Sequence, residues 1–183
     1  KTGKIISYNG NVTGLGFNHN EAVDIVHAPR SSGSILKPFL YCQAFDEGFI
    51  TPHTLLPDIP THYKGYTPQN YVQSFAGAVP AKECLAKSLN IPAVRLLEKV
   101  ELNNFYHKLK ALEINTLTQP AHHYGLSLVL GGAETSLWDL NKAYRKMAWQ
   151  ANQLKKQNKY PSISYKPEKT TIPFYSDFNQ GSI

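Results

Sequence analysis

Pro38 fixes where the first helix of this chain can begin. It stands near the head of an apolar run, Ile35 to Phe45, that otherwise suits a helix. Proline has no backbone N–H and its ring clashes with the preceding turn, so a helix tolerates it only in its first turn. The run must therefore start close to Ser34, just after the small lead-in Ser31-Ser32-Gly33. The expected helix spans 34–47, with Gly48 closing it. Ser34 and Lys37 are three residues apart at that junction, so on a helix they share a face. Free N–H groups at a helix start favour developing negative charge. A serine there, beside an amine that can act as base, has the layout of a nucleophile. The same serine also fits a plain N-cap, and Ser-x-x-Lys arises by chance, so the flanking residues have to decide.

The 183 residues suffice for one domain with a real core, and 42% hydrophobic against 17% charged residues describes a globular chain. The net charge of +6 suits an anionic partner such as a membrane surface, an acidic glycan or a nucleic acid. Part of that charge sits in one late run, Lys155-Lys156-Gln157-Asn158-Lys159, which reads as a solvated loop or helix end. No nucleic-acid-binding fingerprint is present, and nucleic acid is not expected as a partner. Cys42 and Cys84 fall in helix-like apolar stretches without metal-ligand spacing; two thiols and one bridge are both compatible with the sequence. No stretch is apolar enough for a membrane span. The chain starts without Met and stops in a mixed stretch, Phe174 to Ile183, and reads as a piece of something longer.

Along the chain, 4–8 reads as a short strand before the Asn9-Gly10-Asn11 turn, and Val23, Ile25 and Val26 suggest another brief strand. From Thr51 to Gly77, four prolines, Gly65 and several aromatics predict an ordered loop, and such length implies a task. Pro80 opens a helix through Cys84 and Lys87. It breaks at Ser88-Leu89-Asn90, and Pro92 starts another that runs to Val100. Ser88 and Asn90 are polar residues inside an apolar pattern, which also fits a simple capping turn. Residues 102–112 have helical periodicity, and 124–132 form an apolar run closed by Gly131-Gly132. Ser136-x-x-Asp139 looks like a capping box, followed by Leu137, Leu140, Tyr144, Met147 and Ala151 on one helical face.

Ser34-x-x-Lys37 followed by Ser88-x-Asn90 forms the first two thirds of the active-site signature of penicillin-binding proteins and serine β-lactamases. The flanks agree. Arg30 to Phe39 resembles the R-x-P-G-S-x-x-K-P-F block of class A penicillin-binding proteins, with Ser32 in place of the proline. Tyr66-Thr67-Pro68-Gln69-Asn70-Tyr71, Phe75-Ala76-Gly77, Ser88 to Val94 and Tyr124 to Glu134 resemble the same enzymes, the type 1C group most closely. The third family motif, Lys-Ser/Thr-Gly, does not follow Asn90. Lys1-Thr2-Gly3 stands at the wrong end, and the motif is expected beyond Ile183.

The resemblance implies an α/β transpeptidase fold, an antiparallel sheet with flanking helices, incomplete here because its C-terminal strands lie outside the chain. It implies one partial transpeptidase domain over 1–183, with Ser34 as acylated nucleophile, Lys37 as base and Ser88 as proton relay. Asn90 would bind the lysine or the substrate amide, with no metal or other cofactor. The implied partners are peptidoglycan stem peptides, glycan strands and β-lactam antibiotics. The implied location is the outer, periplasmic face of the bacterial cytoplasmic membrane, with an anchor and a glycosyltransferase elsewhere in the full protein. A D,D-carboxypeptidase shares every motif, and a non-catalytic β-lactam sensor or glycan-binding module remains a rival. A β-lactamase would need a deacylating Glu, and none stands in a matching context.

Overall fold

The structure is a computed structural model describing residues 5–12, 14, 23–63 and 65–157, with side chains to 153. Lys1-Thr2-Gly3, Lys159 and the 174–183 stretch lie outside the described residues. Four short strands and six helices are described: β1 (Arg30–Ser31), α1 (Lys37–Asp46), β2 (Leu55–Asp58), β3 (Gly77–Pro80), α2 (Ala81–Ala86), α3 (Asn90–Val100), α4 (Leu102–Ala111), α5 (Ala121–Tyr124), β4 (Glu134–Thr135) and α6 (Leu137–Gln157). A 3-10 segment, Gly125–Leu130, follows α5. The strands make two antiparallel pairs, β1 with β4 and β2 with β3. The chain divides into a compact unit, Lys1–Ala148, and a second, Trp149–Ile183, of which only the helical 149–157 is described.

The core of the first unit is built around α1 and α3. Phe39, Leu40, Tyr41 and Ala44 of α1 share one core cluster with Val94 and Leu97 of α3, Phe105 and Leu109 of α4, and Leu128 and Val129. Burying a side chain of this size stabilises by about 1.5–3 kcal/mol against leaving it in water.

Helix α1 starts three residues later than the sequence suggested, and Pro38 is the reason. An α-helical bond to the Ser34 carbonyl would need an N–H on residue 38, which proline lacks. The Ser34 carbonyl instead accepts from Lys37 N at 3.1 Å, a tighter turn that leaves Ser34 ahead of the helix. The 51–77 segment is an ordered stretch as expected, but it includes β2, which the proline count had hidden. Pro57 is tolerated because β2 pairs on one side only, with β3 in the register Pro57↔Ala78. Residues 5–8 and 23–26 form no strands; the segments around them are joined by isolated bonds, Ile25 N to Gly10 O at 2.9 Å and Asn11 Nδ2 to Val23 O at 2.9 Å.

Only half of the capping box forms. Asp139 N donates to Ser136 Oγ at 3.1 Å, while the Asp139 carboxylate accepts from Asn115 N at 3.0 Å instead of returning to its own helix. The buried face of α6 centres on Ala143, with Leu140, Tyr144 and Met147 packed against the core; Leu137 and Ala151, both expected on that face, are exposed.

Candidate active site

Three features hold the turn that carries Ser34. Ser32 N donates to Ala133 O at 3.0 Å, Ser31 Oγ donates to Gly131 O at 2.8 Å, and Tyr144 OH donates to Ile35 O at 2.7 Å. The Gly pair that closes the 124–132 run thereby acquires a structural role. Gly131 has φ +102°, and a Cβ on it would come within 2.8 Å of Gly33 N and 2.7 Å of Ser31 Oγ. Only glycine lets the two backbones approach this closely.

Ser34 is exposed, its Oγ finds no hydrogen-bond partner among the described residues, and its backbone N–H is equally without an acceptor there. Lys37, one turn on, is the opposite case, at 1% exposed. Its Nζ donates to Ser88 O at 2.7 Å, Ser88 Oγ at 3.1 Å and Asn90 Oδ1 at 2.7 Å. An ammonium has three hydrogens, so this set uses every one, and none is directed at Ser34. All three acceptors are neutral. Burial therefore acts unopposed and lowers the lysine from the ordinary 10.5 to about 8. At pH 7.5 such a lysine is roughly one-quarter neutral, against roughly one part in a thousand for an ordinary one.

The Ser88–Asn90 break supplies those acceptors. Ser88 has φ +52°, a left-handed conformation uncommon for a residue with a Cβ. Residues held this way cost about 1–3 kcal/mol and cluster at working sites. The turn ends α2 and brings the Ser88 carbonyl to the lysine, while Asn90 begins α3. Ser34, Lys37, Ser88 and Asn90 thus lie on the first turn of α1 and its lead-in and on the α2–α3 connection. Lys37, Ser88 and Asn90 are joined by hydrogen bonds, whereas Ser34 stands beside them on the chain with its hydroxyl unengaged.

Two residues without an assigned role in the sequence belong to the same cluster. Asn70 Oδ1 accepts from Asn90 N at 2.9 Å, and Asn70 Nδ2 donates to Asp58 Oδ1 at 2.7 Å. Asn70 stood in one of the family-like stretches, but nothing in its own neighbourhood indicated a partner 20 residues on. A cleft of about 340 Å³ borders this side, lined in part by His62, Thr67, Gln69, Asn70 and Phe75. Cys42 and Cys84 are free thiols, and burial raises both pKa values, Cys84 to about 11. Among the described residues, no group of His, Cys, Asp and Glu could hold a metal ion.

A family model described as "Penicillin binding protein transpeptidase domain" matches residues 1–145. Penicillin-binding protein 1C of Escherichia coli (strain K12) is 41% identical over 126 residues, 69% of this chain and 16% of that protein. Penicillin-binding protein 1F of Bacillus subtilis (strain 168) is 34% identical over 119 residues, 64% of this chain and again 16% of the relative. Among solved structures, the PonA1 protein of Mycobacterium tuberculosis in complex with penicillin V has a TM-score of 0.61 at 22% identity, over 68% of this chain and 36% of that one. Penicillin-binding protein 1A of Haemophilus influenzae has a TM-score of 0.58 over 67% of this chain and 19% of that one, at 23% identity. At such identities the structures show the fold alone. The chain belongs to the penicillin-binding protein transpeptidase family, and its neighbours are class A members. It spans about a sixth of the length of the curated relatives above.

Proposed function

We propose that this domain is a serine-type D,D-transpeptidase that cross-links peptidoglycan stem peptides and is acylated by β-lactams. The observation that carries the reading is Lys37, buried without a carboxylate partner and held by three neutral acceptors beside an unengaged serine. Ser34 Oγ attacks the carbonyl between two terminal D-alanines. Its proton passes to the amine of Lys37, the C–N bond breaks, and the departing D-alanine takes a proton back. An amine of a second stem peptide then attacks the Ser34 ester, forms the new amide and restores the hydroxyl.

Lys37 can accept that proton only when neutral, with two hydrogens and a lone pair. The two hydrogens stay on Ser88 O and Asn90 Oδ1, its shorter bonds. The lone pair is then free for Ser34 Oγ or for the Ser88 hydroxyl, whose link at 3.1 Å is the longest of the three. Ser88 in this way relays the proton towards the leaving amine. The unengaged Ser34 N–H supplies one donor to the oxyanion, and a second has to come from the strand of the third motif. Losing one such donor typically costs ~10²–10³ in rate. With no Lys-Ser/Thr-Gly after Asn90 in these residues, the 183-residue chain by itself acylates slowly or not at all.

In this reading the domain works within a longer polypeptide that also carries a glycosyltransferase and a membrane anchor, on the outer face of the cytoplasmic membrane. No helix among the described residues is long and apolar enough to cross a membrane. A fluorescent penicillin tests the proposal. The complete polypeptide should label and its Ser34→Ala variant should not, while strong labelling of the 183-residue chain alone would overturn the argument about the missing strand. Release of D-alanine without cross-linked product would make the enzyme a carboxypeptidase.

A further inference from the structure

We propose that Asp58 and Asn70 are the positioning residues of this site, holding the start of α3 so that Ser88 and Asn90 stay in register with Lys37. Both are buried, Asp58 at 1% and Asn70 at 7% exposure. Asn70 works in two directions. Its Oδ1 accepts from Asn90 N at 2.9 Å and Ile91 N at 3.4 Å, the first two N–H groups of α3. The residue preceding the helix, Leu89, has no side-chain cap to offer, so the cap arrives from 20 residues upstream. The Nδ2 of Asn70 donates to Asp58 Oδ1 at 2.7 Å and Ser74 O at 3.1 Å. Asp58 Oδ2 accepts from Ala76 N at 2.9 Å, so its carboxylate clamps both ends of the 70–76 segment.

The linkage reaches the lysine in one further step. Asn90 Nδ2 donates to Gln69 O at 2.8 Å, the neighbour of Asn70, which fixes the amide and leaves Oδ1 facing Lys37 Nζ. Backbone and side chain of Asn90 are therefore both tied to the 69–70 dipeptide. Position 70 needs an acceptor for two N–H groups and a donor to a carboxylate in one short side chain. Asparagine meets that requirement; aspartate lacks the donor and leucine lacks both. Asp58 sits at the end of β2, opposite Gly77, so the strand pair carries the clamp.

The catalytic consequence of this arrangement rests on the proposed role of Lys37, but the positioning itself does not, and the test separates the two. The pH titration of Lys37, followed by NMR through its 13Cε resonance in the 183-residue chain, reads the seclusion of the amine without any catalysis. Asn70→Ala and the milder, nearly isosteric Asp58→Asn should both loosen the turn, admit water and raise the Lys37 midpoint by about one unit or more, towards the ordinary value. Asp139→Ala, which breaks a partly buried hydrogen bond to Asn115 N outside the Asp58–Asn70–Asn90 linkage, should lower the melting temperature and leave the Lys37 midpoint in place. In the complete polypeptide, the first two variants should slow acylation by benzylpenicillin about tenfold or more. A Lys37 midpoint unmoved in folded Asp58→Asn and Asn70→Ala chains would overturn the proposal, as would an equal shift in Asp139→Ala. A shifted midpoint with undiminished acylation would uphold the positioning and refute the role of Lys37 as base.

Discussion

Lys37 makes folding of this domain dependent on pH in an unusual direction, and replacing it with Met exposes the effect. In the folded chain the amine titrates at about 8, while in the unfolded chain it returns to the ordinary 10.5. Between these values the unfolded state binds more protons, so stability rises with pH across the window 8–10.5. Below it, a buried ammonium opposes folding by about 3 kcal/mol relative to its neutral form, at ~1.36 kcal/mol per unit. Between pH 6.5 and 9.5 the linkage releases about 2 kcal/mol of this. The Lys37→Met variant has a similar apolar stem and no charge, so it lacks the dependence. Urea unfolding of both chains at the two pH values, with tyrosine and carboxylate contributions cancelling in the difference, gives the number directly. The parental chain should gain about 2 kcal/mol on the variant as pH rises. A difference independent of pH would refute the claim that burial depresses this lysine, and with it the account of how it becomes a base.

Further perturbations address the scaffold. Gly131→Ala places a methyl against Gly33 N at a backbone angle that disfavours it. It should cost about 1–3 kcal/mol in urea unfolding, and labelling of the complete polypeptide by penicillin should slow because the Ser34 turn is displaced. Asp139→Ala leaves Asn115 N without its acceptor and should cost about 1–3 kcal/mol, read as a lowered melting temperature with labelling kept. Glu113→Ala removes half-exposed ion pairs to Lys142 and Lys146 and should change stability by about 1 kcal/mol or less.

The parts of the site that were legible in the sequence are those set by local rules. Three-residue spacing put Ser34 and Lys37 together, and the proline at 38 fixed a helix start nearby; its missing N–H also moved that start to Lys37, because the Ser34 carbonyl has no α-helical donor four residues on. The break at Ser88-Leu89-Asn90 was visible as polar residues interrupting an apolar pattern between two helices. What the break does was not visible, because its acceptors face a lysine some fifty residues away and Ser88 adopts a left-handed conformation that no serine announces. Asp58 and Asn70 were missed for the same reason. Both lay within the proline-rich 51–77 loop, and it is the pairing of β2 with β3 and the bond of Asn70 to Asn90 that bring them to the start of α3. The role of Asp139 was half right. Its place in the capping box follows from spacing, but its carboxylate is engaged by Asn115, a tertiary partner that spacing cannot supply.

The identity of the acylated atom is the point on which the functional account stands. Incubation of the complete polypeptide with benzylpenicillin, followed by intact-mass measurement and peptide mapping, reads it directly. A single adduct on the peptide containing Ser34, absent from the Ser34→Ala variant, is the expected result. An adduct on any other residue, or one that survives Ser34→Ala, would contradict the account.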